Sequence, residues 1–243
     1  VTTTTPRPAT QAEQGTTAPR ALPRWYRSTV FLKTVMAVTG VMLLLFLTAH
    51  MIGNLEVFRG EESFDGYAHW LREIGEPILG HSWFLWILRV VLLAAVLLHI
   101  GTATALARRA RRARPVRYAH RPPVQGTYAA RTMRWGGVII ALFVVYHILD
   151  LTAGVLNPVG APGRPYTNVT ADFQLWYVTA VYTVAVLVLG LHLRHGVWSA
   201  TRTLGRHRPG LERVTSVAAT AYAVVMTVGF LSVPFAVAVG WVE

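Results

Sequence analysis

The chain has 243 residues, of which 53% are hydrophobic and 14% charged, against about 25% charged in ordinary soluble domains. This balance points to a membrane protein, and the net charge of +12 is explained better by basic loops on an apolar chain than by nucleic-acid binding. There is no cysteine, which excludes disulfides, thioether-linked haem and any iron–sulfur cluster held by this chain alone.

Residues 1–28 are rich in Thr, Pro and Ala and contain no apolar core, so they read as a leader without signal-peptide character, disordered over about its first 20 residues. Five segments then have the roughly 20 apolar residues that a spanning helix needs. They fall at about 29–53, 83–107, 135–156, 173–193 and 214–242, the last carrying Pro234, for which a kink is expected. The connections between them leave no room for a soluble domain, and there is no convincing internal repeat. The expectation is an all-α integral membrane bundle of five transmembrane helices.

Lys and Arg give the orientation. Nineteen of them lie in the N-terminal segment, the second-to-third loop and the region after the fourth span, which alternate and so share one side. The other side has Arg59, Arg72 and Arg164, with five acidic residues between 61 and 76 beside the first two. The N-terminus is therefore expected in the cytoplasm and the C-terminus outside. The arginine-rich run at 108–134 reads first as this topology signal, with contact to anionic lipid or a cytoplasmic partner as additional roles.

Ionisable residues inside a bilayer are costly and tend to be functional. Each of the first four spans carries one histidine: His50, His99, His147 and His192. With the spans alternating in direction, His50 and His147 fall in the outer half and His99 and His192 in the inner half. Two depth-matched pairs on four helices suit two stacked b-type haems, each iron taking two axial imidazoles from different helices. The competing reading is four independent interhelical hydrogen-bonding residues.

Several motifs, in order, carry a family resemblance. They are "STVFLKTVMAVTGVMLLLFLTAHMIGNL" at 28–55, "FDGYAHWLREIGEP" at 64–77, "LLHIG" in the second span, "YHILDLTAG" in the third and "LHLRHGVWS" at 191–199. Together they resemble the cytochrome b membrane-anchor subunit of succinate dehydrogenase and fumarate reductase, in its five-helix, di-haem form. The resemblance covers almost everything from Ser28 onward. It implies that His50 and His147 hold the distal haem b and that His99 and His192 hold the proximal one. It further implies a flavoprotein subunit and an iron–sulfur subunit as cytoplasmic partners, membrane quinone as electron acceptor, and a place in the cytoplasmic membrane. No dicarboxylate site is evident in this chain. His195 rivals His192 as the fourth-span ligand, although the spacing from His192 to Gly196 matches the family's ending better. Gly190 stands where some family members carry a glutamate for proton movement, which puts that route in doubt.

Three other readings remain open. One is a haem-free anchor, another a histidine-ligated cluster completed by a partner's cysteines, and the third a proton or solute transporter. Arg89 and Asp150 are expected either to face the bundle near each other or a haem propionate, or, for Arg89, to snorkel to the interface. His69, His81, His120 and His207 fall in loops and read as solvated. Trp70 and Trp83 read as interfacial anchors, with Trp70, Arg72, Glu73 and Glu76 a weak candidate border for a quinone pocket. Reporter fusions at Arg117 and after Glu243 are expected to give opposite signals, and matching signals would refute an odd number of spans between them.

Overall fold

A computed structural model describes residues 28–113, 128–203 and 211–243 (backbone only at 128–132). The leader up to residue 27, most of the basic loop, residues 204–210, His120 and His207 lie outside the described residues. The described chain is helical, without strands. Its elements are α1 (Thr29–Asn54), α2 (Glu61–Glu73), α3 (Trp83–Arg112), α4 (Tyr128–His147), α5 (Pro165–Phe173), α6 (Trp176–Thr203) and α7 (Glu212–Ala238). Five helices are long and apolar enough to cross a membrane: α1 with the 3₁₀ turn that continues it to Arg59, α3, α4 with its final turn, α6 and α7.

Local chemistry explains where the spans begin and end. Ser28 caps α1, its hydroxyl accepting from the Phe31 N–H at 3.0 Å. Trp83 opens α3, which runs on through three arginines of its last turn, where positive charge offsets the helix dipole. The span expected at 135–156 leaves α-helical geometry after His147 and finishes in a π-helical turn, Ile148–Thr152. That turn carries Asp150, which is fully buried. The expected fourth span divides differently as well: Phe173 closes α5, and α6 starts at Trp176. Pro234 sits inside α7, and the helix continues through it to Ala238.

Consecutive spans pack side by side, α1 on α3, α4 on α6 and α6 on α7, and α1 also meets α6 and α7. Contacts at the two ends show how they alternate. At one end, Arg109 of α3 donates to Thr29 Oγ1 at the start of α1 (3.3 Å), and Arg202 of α6 lies 3.8 Å from Glu212 of α7. This is the basic end. At the other end the short helices α2 and α5 pack against each other. Arg164 pairs with Glu61 at 3.2 Å. Asp65 of α2 accepts from the Tyr166 N–H at 2.9 Å, which satisfies one of the free amides of the α5 first turn. The Tyr166 hydroxyl donates to the Glu243 carbonyl at 2.8 Å, tying the chain's last residue to the same cap. Gly160 folds the loop before α5. Its φ is +55°, and an added Cβ would lie 2.7 Å from the Gly154 carbonyl oxygen.

Two clusters form the core. Val57, Phe173, Val178, Tyr182, Val233 and Val237 pack under the cap. Met51, Leu193, Ala223 and Met226 pack deeper in the bundle. Contact between α6 and α7 is close because Gly190 presents no side chain to Thr227: an added Cβ would collide with the Thr227 hydroxyl oxygen, which is itself held by the Ala223 carbonyl. Gly190→Leu is therefore expected to prise α6 from α7 at a cost of about 1–3 kcal/mol, read as a lower thermal midpoint of the detergent-solubilised protein.

Candidate histidine centres and the buried carboxyl pair

The four intramembrane histidines come together in twos. His99 of α3 faces His192 of α6 with ring centroids 6.3 Å apart and ring planes at 62°. His50 of α1 faces His147 of α4 with centroids 5.8 Å apart and planes at 80°. The levels differ along α1. His99 meets α1 at Met36, Thr39 and Gly40, ten to fourteen residues before His50. At about 1.5 Å per residue the two centres are separated by roughly 15–20 Å along the helix.

Each centre is held by a different kind of second contact. The His99 Nδ1 lies 3.2 Å from the Met36 carbonyl and 3.3 Å from Thr39 Oγ1. That hydroxyl already donates to the Val35 carbonyl at 2.8 Å, so the ring N–H donates to the Met36 carbonyl and leaves Nε2 with a free lone pair. Gly40 gives the ring room, since an added Cβ would come within 3.4 Å of His99 Cε1. The His192 Nδ1 is buried and has no protein partner. At the other centre, the His147 Nδ1 lies 3.2 Å from the Tyr182 hydroxyl oxygen, and that hydroxyl donates to Asp150 Oδ2 at 2.9 Å. The Tyr182 proton is thereby committed to Asp150, so the Nδ1–H of His147 donates to the tyrosine and Nε2 is again left free. His50 stacks on Phe46 with centroids 5.3 Å apart and leans on Phe230 at 6.0 Å.

This donor set can be tested against a metal. A metal–imidazole bond is about 2.0–2.1 Å long and the ring nitrogen lies a further ~1 Å from the centroid, so two imidazoles on opposite sides of one metal have centroids about 6 Å apart. Both pairs meet that spacing. Among the described residues neither pair has a third His, Cys, Asp or Glu placed to complete a site for a bare ion. One imidazole of each pair, His99 and His147, has its Nε2 free, and two facing imidazoles with nothing further fit a metal that brings its own other ligands, as haem does. His195 stands apart from both pairs, its ring 5.8 Å from Trp198 towards the basic end.

Beyond His147, Asp150 faces into the bundle as expected, but its partner there is Asp172, which no sequence pattern singles out. Asp150 is 0% exposed and Asp172, on α5, is 1% exposed. The carboxyls are within hydrogen-bonding reach of each other, and Asp150 Oδ1 and Asp172 Oδ2 have no other partner. No cationic side chain pairs with either among the described residues. Burial, and then the Asp150 carboxyl beside it, push the Asp172 carboxyl up to about 7. Tyr182 is enclosed by Phe143 and Phe173, with centroids at 4.9 and 4.8 Å, so its hydroxyl is held by packing as well as by hydrogen bonds.

The other polar residues separate. Arg89 is exposed on the membrane-facing side of α3 with its guanidinium 4.9 Å from the Trp86 ring centre, and does not meet Asp150. His69 and His81 are exposed on the cap, paired with Glu73 at 3.4 Å and Glu76 at 3.2 Å. Trp70 is exposed beside Tyr67, and Arg72 turns back onto the Ala68 carbonyl.

Comparison of the chain with family models, curated proteins and solved structures returns no match.

The raised Asp172 carboxyl has a consequence for stability. Its folded value lies above the ordinary carboxyl value of 3.8, so the folded state binds more protons than the unfolded chain between the two. This contribution favours folding at low pH and is lost as pH rises through the raised value. The thermal midpoint of the purified protein is expected to fall between about pH 5 and about pH 8, and Asp172→Asn, which cannot ionise, should flatten that slope.

Proposed function

We propose that this chain is the membrane-anchor cytochrome b subunit of a succinate:quinone oxidoreductase. The observation that carries the proposal is the apposition of His50 with His147 and of His99 with His192, two imidazole pairs at two depths on four helices. In this reading each pair would hold one haem b, and the group, when bound, would supply one-electron redox chemistry.

The chain's own part is positional. The Met36 carbonyl and the Tyr182 hydroxyl fix the ring orientation and tautomer of His99 and His147, so that Nε2 is the ligating atom in each. The apolar spans keep water from both centres. The basic end faces the cytoplasm, following the excess of Lys and Arg there, and docks the iron–sulfur subunit, which carries the flavoprotein subunit. With haem bound, the His99–His192 level would receive electrons from the iron–sulfur subunit, and the His50–His147 level would pass them to membrane quinone. The chain is a multi-pass protein of the cytoplasmic membrane, and the dicarboxylate chemistry belongs to its partners.

A reduced-minus-oxidised spectrum of the purified complex, with haem quantified per complex, tests this directly. His99→Ala and His192→Ala are each expected to remove the same haem while the His50–His147 haem remains. The cavity left in the bundle costs much less than the lost ligand bond, on the order of 1 kcal/mol. Quinone reduction by succinate should fall sharply, while succinate oxidation by a soluble dye persists in the assembled complex. Full haem content with unchanged low-spin signals in both variants would reduce these histidines to packing residues.

A further inference from the structure

Two buried carboxyls that face each other are hard to explain as a plain structural contact. Ionised carboxylates only accept hydrogen bonds, and two of them at hydrogen-bonding distance cannot both be charged in a dry site. Asp150 Oδ1 and Asp172 Oδ2 have no donor from anywhere else among the described residues, and the two residues are 0% and 1% exposed. A proton between them is what satisfies both.

The surroundings place that proton near the capped end and give it something to act on. Asp172 lies in the last turn of α5, and the next residues along the chain, Gln174 and Tyr177, are exposed at the capped end. Asp150 lies deeper, in the π-helical turn that follows His147. The order from the surface inward is Asp172, Asp150, the Tyr182 hydroxyl and the His147 ring, the last two links measuring 2.9 and 3.2 Å. The other titratable groups facing the pair are the phenols of Tyr146 on α4 and Tyr177 and Tyr182 on α6. On the neighbouring α2 and at the start of α5, Asp65 is engaged with the Tyr166 N–H and Glu61 with Arg164, and Glu243 meets Tyr166 through its carbonyl.

We propose that Asp150 and Asp172 form a proton-exchanging carboxyl pair, placed towards the capped end and linked through Tyr182 to His147, which takes up one proton as an electron arrives at the His50–His147 centre. The coupling rests on the haem reading above; the shared proton does not. In the oxidised state the centre is one positive charge richer, and a carboxylate in the pair is favoured. One electron from the iron–sulfur partner removes that charge, and one proton from water at the capped end neutralises the pair. Charge in the bundle is then unchanged over the step, and no bond to His147 forms or breaks. This makes Asp172 and Asp150 positioning residues for the proton.

Asp172→Asn is the informative variant, because its amide can still donate to Asp150 and keep α5 attached while carrying no exchangeable acid. Two measurements on the purified complex decide the matter. Potentiometric titration between about pH 6 and about pH 8 should show the wild-type outer haem midpoint falling as pH rises. The slope should be lost in Asp172→Asn, with the inner haem unaffected. Infrared spectra in light and heavy water should show the C=O stretch of a protonated carboxyl in wild type, missing in Asp172→Asn and in Asp150→Asn. A wild-type midpoint independent of pH, or a slope that survives in Asp172→Asn, overturns the coupling. Absence of the carboxyl band from wild type overturns the shared proton. A preparation with no haem overturns the function on which the coupling rests, and the infrared band then still decides whether the pair holds its proton. If Asp172→Asn fails to assemble, the wild-type slope and the Asp150→Asn spectrum carry the same decision.

Discussion

The hydrogen bond from the Tyr182 hydroxyl to Asp150 organises the capped half of this molecule. A carboxyl in a membrane span is tolerated only when partners inside the protein replace water. Tyr182 supplies one such partner, and in doing so it leaves its oxygen free to accept from His147. The same phenol ring packs between Phe143 and Phe173, which brings α4, α5 and α6 to one point. The π-helical turn belongs to this arrangement, because it carries the Asp150 carboxyl into the core just past His147. Removing the hydroxyl would strand a buried acceptor and release the imidazole from its fixed orientation at once.

Much of this was legible in the sequence, and the exceptions have physical causes. Uninterrupted apolar length announces a spanning helix, so all five could be located from composition alone. The pairing of the histidines followed from alternating helix direction, which needs only their positions within each span. The two cap helices escaped because they are short and polar. The α2 segment holds Glu61, Glu62, Asp65, Arg72 and Glu73 and has no buried residue of its own, so its helicity depends on what it rests against. Asp172 escaped for a related reason. It precedes an apolar run and reads as a loop residue at the mouth of a span, whereas α5 turns it inward onto Asp150. Tyr182 lies within an apolar stretch and reads as ordinary core, since no sequence pattern reveals which way a phenol hydroxyl points.

Packing is uneven across the bundle. In α6 and α7 about a third of the most apolar window is buried, 39% and 33%, whereas in α3 the figure is 6%. Small residues explain the first part, with Gly190 against Thr227 and Ala219 and Ala223 fully or nearly buried. The helices α6 and α7 thus form a closely packed pair, with α1 and α4 against it and α3 against α1, and these three helices keep most of their surface exposed.

The two histidine centres also differ in what stands behind them, and the difference sets a direction. His99 is oriented by a backbone carbonyl, which keeps the same charge at every pH. His147 is oriented by a tyrosine that leans on a carboxyl pair able to carry or lose a negative charge. Identical groups bound at the two levels would therefore be tuned differently. An ionised pair stabilises the oxidised, more positive state of its neighbour, and a protonated pair releases that hold. In the proposed function, electrons enter beside the carbonyl and leave beside the carboxyls. In that proposal the carboxyl pair lies at the end where quinone is reduced, and quinone reduction needs protons as well as electrons.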